Sequence, residues 1–282
     1  MRWLELHVVA PESAHEAIAQ LCSEAGSPGV RFEPQRVIAY LPLTSEVHER
    51  KRWLFERLSH LPEWELPAVQ AVETYEVDDS EWAEAWKRYF HAQRVSRRVV
   101  VKPTWEPYVA GLNEVVVELD PSMAFGTGQH ASTQLCLEFL EELVQGGMTV
   151  VDVGTGSGIL AIAAAKLGAS FVWAGDNDPV AVLTAQRNVA RNGVENRVRV
   201  HLAEGCEGAP ACDLLVANLT AEVIEGLLAD FTRCVKQGGW LVVSGIVTER
   251  SRRVREALCR WLWRQVQSRE RGEWCAFAAR RE

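Results

Sequence analysis

The sequence predicts an α/β protein in two parts: a small α+β unit of β-α-β-β-α-β order, then a larger domain on a mostly parallel sheet covered on both faces. Three observations predict it. From residue 149 onward, near-continuous apolar strands alternate with amphipathic helical segments, the texture of parallel strands buried on both sides. Residues 3–77 instead carry short strands around two helical stripes. With 282 residues, 48% of them hydrophobic, the chain is longer than most single domains and apolar enough for two unequal cores.

In the first part, 3–9 is strand-like. Residues 12–25 are helical, with Ile18, Leu21 and Cys22 forming an i, i+3, i+4 stripe that stops at Gly26. Strands are expected at 30–32 and 37–41. A second helix is expected over 45–61 with Val47, Leu54, Phe55 and Leu58 inward, and a strand near 68–77. That order is the ferredoxin-like arrangement. It bounds an N-terminal domain at 1–77. The segment DDSEWAEAWKRYF follows, with Asp79 or Ser80 as a cap and Trp82, Trp86 and Phe90 on one face, so 78–95 reads as a linker helix. Aromatic residues at this spacing are more commonly core than a ligand platform.

The second domain, 96–282, opens with strands at 99–102 and 114–119, then the loop DPSMAFGTGQHAST. Beyond it, strands TVVDVG, FVWAGD, VRVHLAEG, DLLVANL and WLVVSGI are separated by helices expected at 159–167, 180–192, 221–236 and 249–261. The last two strands, 263–267 and 274–279, flank the polar SRERG segment and read as a hairpin placing one antiparallel strand in a seven-stranded sheet.

The strongest local signal is VVDVGTGSGILAIAAAKLG. Gly154, Gly156 and Gly158 lie between a buried strand and a helix, where missing side chains let the backbone approach a ligand at the helix N-terminus. The dinucleotide fingerprint would need glycine at Ile159, which weakens a nicotinamide reading. Asp152, just before the first glycine, would crowd a pyrophosphate but suits a cationic amino-acid head, and Asp176 ends the next strand, where a carboxylate accepts ribose hydroxyls. A nucleoside carrying an aminoacyl sulfonium, S-adenosyl-L-methionine, fits both. Asn218 ends a further strand on the ligand side, able to touch the cofactor or hold an acceptor amine. In MAFGTGQHAST, Phe125 offers an apolar face and Thr133 either caps the following helix or reaches a ligand; His130 more commonly fixes such a loop than acts as a base.

These residues carry a resemblance that runs end to end. WLELHV, EWAEAWKRYF, VVVKPTWEPY, ELDPSMAFGTGQHASTQLCLEFL, VVDVGTGSGILAIAAAKLGA, DNDPVAV, LLVANL and the terminal EWCAFAARR are similar to the PrmA family, methyltransferases of large-subunit ribosomal protein L11. The resemblance implies a class I (Rossmann-like) S-adenosyl-L-methionine-dependent methyltransferase domain joined by a linker to a small substrate-recognition domain. It also implies a protein-lysine N-methyltransferase acting on amino groups of L11, lysine side chains and the N-terminal amine among them. Carried over position by position, the cofactor contacts are Thr133, Gly154, Asp176 and Asn218, with Phe125, Gly156 and Gly158 as neighbours and Asn218 also positioning the acceptor. The family usually has cysteine where Thr155 stands, an aliphatic residue at Asn177, Pro-Thr at Ala131 and Ser132, and Ile-Leu at Leu219 and Thr220; none of the four contacts is lost. Alternative readings are a protein-glutamine or rRNA N-methyltransferase, or a non-catalytic binding protein retaining the fold. The aromatic-ended motif usual for planar amides and bases is absent after Asn218, where Leu219-Thr220-Ala221 follows.

A lysine acceptor must first lose a proton, at a cost of roughly 4 to 5 kcal/mol at neutral pH. Burial and a nearby sulfonium help; a carboxylate would hinder. The acceptor pocket is therefore expected to be neutral and polar, built from Asn218, backbone carbonyls and Phe125. The net charge of −8 argues against a general nucleic-acid or anionic-membrane binder, and no direct DNA binding is expected. Residues 1–90 hold 16 acids and 9 bases, whereas 146–282 hold 15 and 17, so the negative charge is front-loaded and suited to steering a basic protein. Arg252, Arg253, Arg255 and Arg260 give one helix a basic face, read as solvated surface. Seven cysteines without Cys-x-x-Cys spacing read as reduced thiols, no metal site is expected, and no apolar run nears the roughly 20 residues of a membrane span. A cytoplasmic location follows as an expectation.

Overall fold

The computed structural model describes all residues except Met1, Pro28, Glu65, 79–90, 120–127 and Gln129. The chain separates into two compact units, Met1–Phe90 and His91–Glu282.

The first unit holds β1 (Arg2–Val9), α1 (His15–Glu24), β2 (Val30–Glu33), β3 (Arg36–Pro42), α2 (Val47–Ser59) and β4 (Ala71–Asp78). Its sheet is antiparallel in the order β2-β3-β1-β4, the ferredoxin-like topology. Period-2 alternation sends Leu4, Leu6 and Val8 of β1 and Val37, Ala39 and Leu41 of β3 to one face, where they pack with Ile18, Cys22, Leu54 and Leu58. Phe55 is only partly buried at the edge of that core. Helix α1 starts at His15 and not at residue 12, because Glu12–Ala14 after Pro11 form a tighter 3₁₀ turn.

The second unit opens with β5 (Gln93–Arg94), β6 (Val99–Pro103) and β7 (Val115–Leu119), a small sheet in which β6 and β7 run parallel. The expected linker helix, 78–95, lies over 79–90 outside the described residues, and its last part is extended, since β5 pairs with β6. Next come α3 (Ala131–Leu143), β8 (Thr149–Val153), α4 (Ile159–Leu167), β9 (Phe171–Asp176), α5 (Pro179–Arg191), β10 (Val198–Leu202), β11 (Cys212–Asn218), α6 (Ala221–Cys234), β12 (Val235–Val247), α7 (Ser251–Arg260), β13 (Trp263–Arg271) and β14 (Trp274–Arg281). The seven-stranded sheet has the order β10-β9-β8-β11-β12-β14-β13, parallel from β10 to β12, with β14 antiparallel to both neighbours. The order reverses at β8 and β11, which makes their carboxyl ends the switch point where open α/β sheets bind ligands.

Expected boundaries also move at two places beside β12 and β14. The helix before β12 ends at Cys234 because Val235 is extended, in register with Cys212 on β11. The polar SRERG segment is mostly strand, not turn: Ser268–Arg271 pair with Trp274–Phe277, leaving Gly272 and Glu273 as the turn. An edge strand half open to water accepts polar residues on its outer face. Helix α4 is buried from Ile159 through Ala165, an apolar helix between the sheet and its neighbours. Asn192 accepts from the Glu118 backbone N–H at 2.9 Å and donates to the Glu118 carbonyl at 2.7 Å, holding the end of β7 against the end of α5.

Candidate functional site

Four strand ends meet at the switch point: Val153 of β8, Asp176 of β9, Asn218 of β11 and Ser244 near the end of β12. The turn after β8 carries left-handed φ values of +73°, +54° and +84° at Gly154, Gly156 and Gly158, which explains glycine at all three. A Cβ on Gly154 would stand 2.5 Å from Leu219 Cδ2. The Gly154 and Thr155 N–H groups both donate to the Gly175 carbonyl, at 2.9 and 3.0 Å.

Asp176 is held by this turn and its own. Its Oδ2 accepts from Gly156 N at 2.9 Å and its Oδ1 from Asp178 N at 3.0 Å. Each oxygen keeps a further lone pair for a ligand hydroxyl. Asp178 caps α5 by accepting from Val180 N, ahead of Pro179 in the first turn.

Asp152 is fully buried beneath the turn. Its Oδ2 accepts the Thr155 hydroxyl at 2.6 Å and Ala161 N at 3.2 Å, while Oδ1 has no hydrogen-bond partner among the described residues. Burial pushes the Asp152 carboxyl up to about 7, against the pull of those two hydrogen bonds. The sequence reading set this acid facing a cationic head; the structure adds that it braces the turn through Thr155, which motif spacing alone did not signal.

Asn218 Nδ2 donates to Thr133 Oγ1 at 3.1 Å, bringing two of the expected contact residues together across 85 positions of sequence. Thr133 does not cap α3. That role falls to His130, whose Nδ1 accepts from Ser132 N at 3.3 Å and lies 2.7 Å from Ser132 Oγ, with the ring edge-on to Trp274 at 4.5 Å. Burial lowers the His130 imidazole pKa. Thr220 stands at the start of α6, exposed and making no side-chain cap. Phe125 and Gly126 lie outside the described residues. Gly128 beyond them is buried with φ +81°, where a Cβ would meet Ile159 Cδ1 at 2.8 Å and Val101 Cγ2 at 2.9 Å.

Two supports escaped sequence reasoning. Buried Asn188 donates from Nδ2 to the Ser157 carbonyl at 2.8 Å and so anchors the glycine turn; the signal was a polar residue inside the apolar stripe of α5. Gly245 has φ +84°, and a Cβ there would stand 2.5 Å from the Leu219 carbonyl oxygen and 3.0 Å from Asn218 Oδ1. Its lack of a side chain lets β12 back Asn218, aided by Leu219 N donating to the Ser244 carbonyl.

The arrangement suits a nucleoside with a cationic amino-acid head. A buried carboxylate oxygen lacks a donor among the described residues, Gly154 and Gly156 of the turn are half-buried, and Asp176 keeps acceptor capacity at the adjoining strand end. Among the described residues, no group of His, Cys, Asp and Glu could hold a metal ion, and no helix is long and apolar enough to cross a membrane.

Strand order, switch point and glycine turn together define a class I methyltransferase domain of Rossmann-like architecture. A family model described as "Ribosomal protein L11 methyltransferase (PrmA)" matches residues 2–282, and the chain belongs to that family. Curated relatives named ribosomal protein L11 methyltransferase include one from Bacillus cytotoxicus, 39% identical over 92% of each chain, and one from Thermoanaerobacter pseudethanolicus, 35% identical over 100% of each. The crystal structure of a ribosomal protein L11 methylase from Lactobacillus delbrueckii subsp. bulgaricus is 32% identical, with a TM-score of 0.64, covering 68% of this chain and all of the other.

Proposed function

We propose that this chain transfers methyl groups from S-adenosyl-L-methionine to amino groups of ribosomal protein L11, lysine side chains and the N-terminal amine among them. The observation that carries the reading is the meeting of the glycine turn, Asp176 and the Asn218–Thr133 pair at the switch point of a chain that matches this family from end to end. When bound, the cofactor supplies an electrophilic methyl on a sulfonium whose departure as a thioether needs no proton.

The protein's own task is then to bind, orient and exclude charge. Gly154, Gly156 and Gly158 let backbone approach the ligand, Asp176 accepts from the ribose, and the free oxygen of Asp152 faces the amino-acid head. Asn218, with its Nδ2 on Thr133, keeps its carbonyl oxygen as an acceptor for an incoming amine N–H, which orients the nitrogen lone pair. An amide suits this place better than a carboxylate, which would hold the amine as ammonium. Residues 1–77 are the substrate-recognition domain in this reading, and their acidic surplus suits a basic protein.

Calorimetry with S-adenosyl-L-methionine tests the site, and Asp176→Ala weakens binding if the ribose role is right. Gly154→Arg abolishes methyl transfer to L11. Unchanged affinity in the first variant, or normal turnover in the second, refutes the assignment.

A further inference from the structure

Three of the seven cysteines meet away from the methyl-transfer site. Cys212 opens β11, Cys234 closes α6, and Cys206 lies in the connection from β10 to β11. Sheet register brings the first two together, because the neighbour of Cys212 on β12 is Val235, the residue after Cys234. Their sulfurs are 3.9 Å apart. Cys234 Sγ also lies 3.3 Å from the Pro210 carbonyl oxygen, and Cys212 Sγ 3.6 Å from the Cys234 carbonyl oxygen. Cys206 packs against the same buried cluster. Cys212 and Cys234 are both buried, Cys234 the less completely at 8% exposure, and Cys206 is half-buried.

We propose that Cys212 and Cys234 form a peroxide-sensitive thiol pair that closes to an intramolecular disulfide. The contact is what such a reaction needs: two sulfurs already at van der Waals distance, which side-chain rotation must bring to about 2.05 Å. The neighbouring Cys206 and Cys212 thiols lower the Cys234 pKa and favour its thiolate, the nucleophilic form, while Cys206 and Cys212 are themselves pushed up and keep their protons.

The chemistry balances with hydrogen peroxide as the named oxidant. The Cys234 thiolate attacks one peroxide oxygen; the S–O bond forms, the O–O bond breaks, and the departing hydroxide takes a proton to become water. The Cys212 sulfur then attacks the Cys234 sulfenic acid. The S–S bond forms, the S–O bond breaks, and the hydroxyl leaves as a second water with the proton of the Cys212 thiol. Two thiols lose two electrons in all, and one peroxide is reduced to two waters. The ring so closed runs from Cys212 to Cys234 and contains Asn218 and the whole of α6, so it ties the strand that presents Asn218 to the far end of the following helix.

The test is disulfide mapping on the full chain after limiting hydrogen peroxide and alkylation of the remaining thiols. Trypsin leaves Cys206 and Cys212 in one peptide, 200–233, and Cys234 in another, 234–236; cleavage after Glu207 then separates Cys206 from Cys212. The expected product joins the Cys234 peptide to the fragment carrying Cys212, disappears on thiol reduction, persists in Cys206→Ser and is absent from Cys234→Ser. Exposed Cys259 is the internal reference and stays alkylatable when the bridge forms. A bridge from Cys206 to Cys234, or oxidation of Cys259 with the pair still reduced, overturns the proposal. The mapping on the unaltered chain decides even if a serine variant fails to fold.

Discussion

Asp152→Asn separates what the buried acid does for the fold from what it does for the ligand. The folded protein holds the Asp152 proton with a pKa of about 7, whereas an unfolded aspartate releases it near 3.9. The native state therefore binds more protons than the unfolded chain between these values, and stability falls as pH rises through the window. Below about pH 4 the contribution is fully present, and above about pH 7 it is lost. Three units at about 1.4 kcal/mol each make the full swing about 4 kcal/mol, of which about 3 kcal/mol falls between about pH 4.5 and 8.5. An asparagine carbonyl can still accept from Thr155 and Ala161, but its NH₂ then sits where Oδ1 has no partner, a loss of about 1 to 3 kcal/mol that does not vary with pH. The variant is thus expected to be the less stable protein in acid and to gain on the parent by about 3 kcal/mol toward pH 8.5. Urea unfolding of both proteins across that range measures the difference. Parallel stability curves would refute the burial argument. If Oδ1 receives the amino group of the cofactor, the same substitution also lowers cofactor affinity, most of all above about pH 7 where the carboxylate is charged.

Removing the His130 ring separates capping from catalysis: His130→Ala costs about 1 kcal/mol of stability by thermal unfolding and leaves the pH–rate profile of methyl transfer unchanged. Loss of a titrating limb from that profile would instead make His130 a base. Asn188→Ala frees the Ser157 carbonyl and loosens the glycine turn, so the cofactor dissociation constant rises while kcat at saturating cofactor falls little. An unchanged constant would remove Asn188 from the support of the turn. Binding of L11 is expected to weaken steeply as salt approaches about 1 M, where screening shortens to about 3 Å, because residues 1–90 carry most of the negative charge. Salt-independent binding would take steering away from the acidic surplus.

Elements bounded by strong punctuation were legible in the sequence. Helix α4 stands over Ile159–Leu167 as read, between Gly158 and Gly168, both at left-handed φ. The carboxyl ends of β8, β9 and β11 were marked by polar residues or glycine after apolar runs, which located Gly154, Asp176 and Asn218. Short or half-exposed elements were harder. The two residues of β5 are strand only because β6 lies beside them, and Ser268–Arg271 are strand despite four polar side chains because β14 supplies the partners. The supporting contacts were the least legible, since each joins distant positions: Thr155 to Asp152 across the turn, Asn188 to Ser157 from another helix, Gly245 against Leu219 from the next strand. A hydroxyl at 155 instead of the family's usual cysteine looked neutral by spacing and proves to hold the buried carboxylate.

The central claim is that amino groups of L11 receive the methyl, and the direct measurement is site-mapped transfer from labelled S-adenosyl-L-methionine in a mixture of purified L11, other ribosomal proteins and rRNA. The account predicts label on L11 alone, on lysine side chains or the N-terminal amine, and none with Gly154→Arg. Label on rRNA or on glutamine side chains, or no transfer by a protein that binds the cofactor, would contradict it.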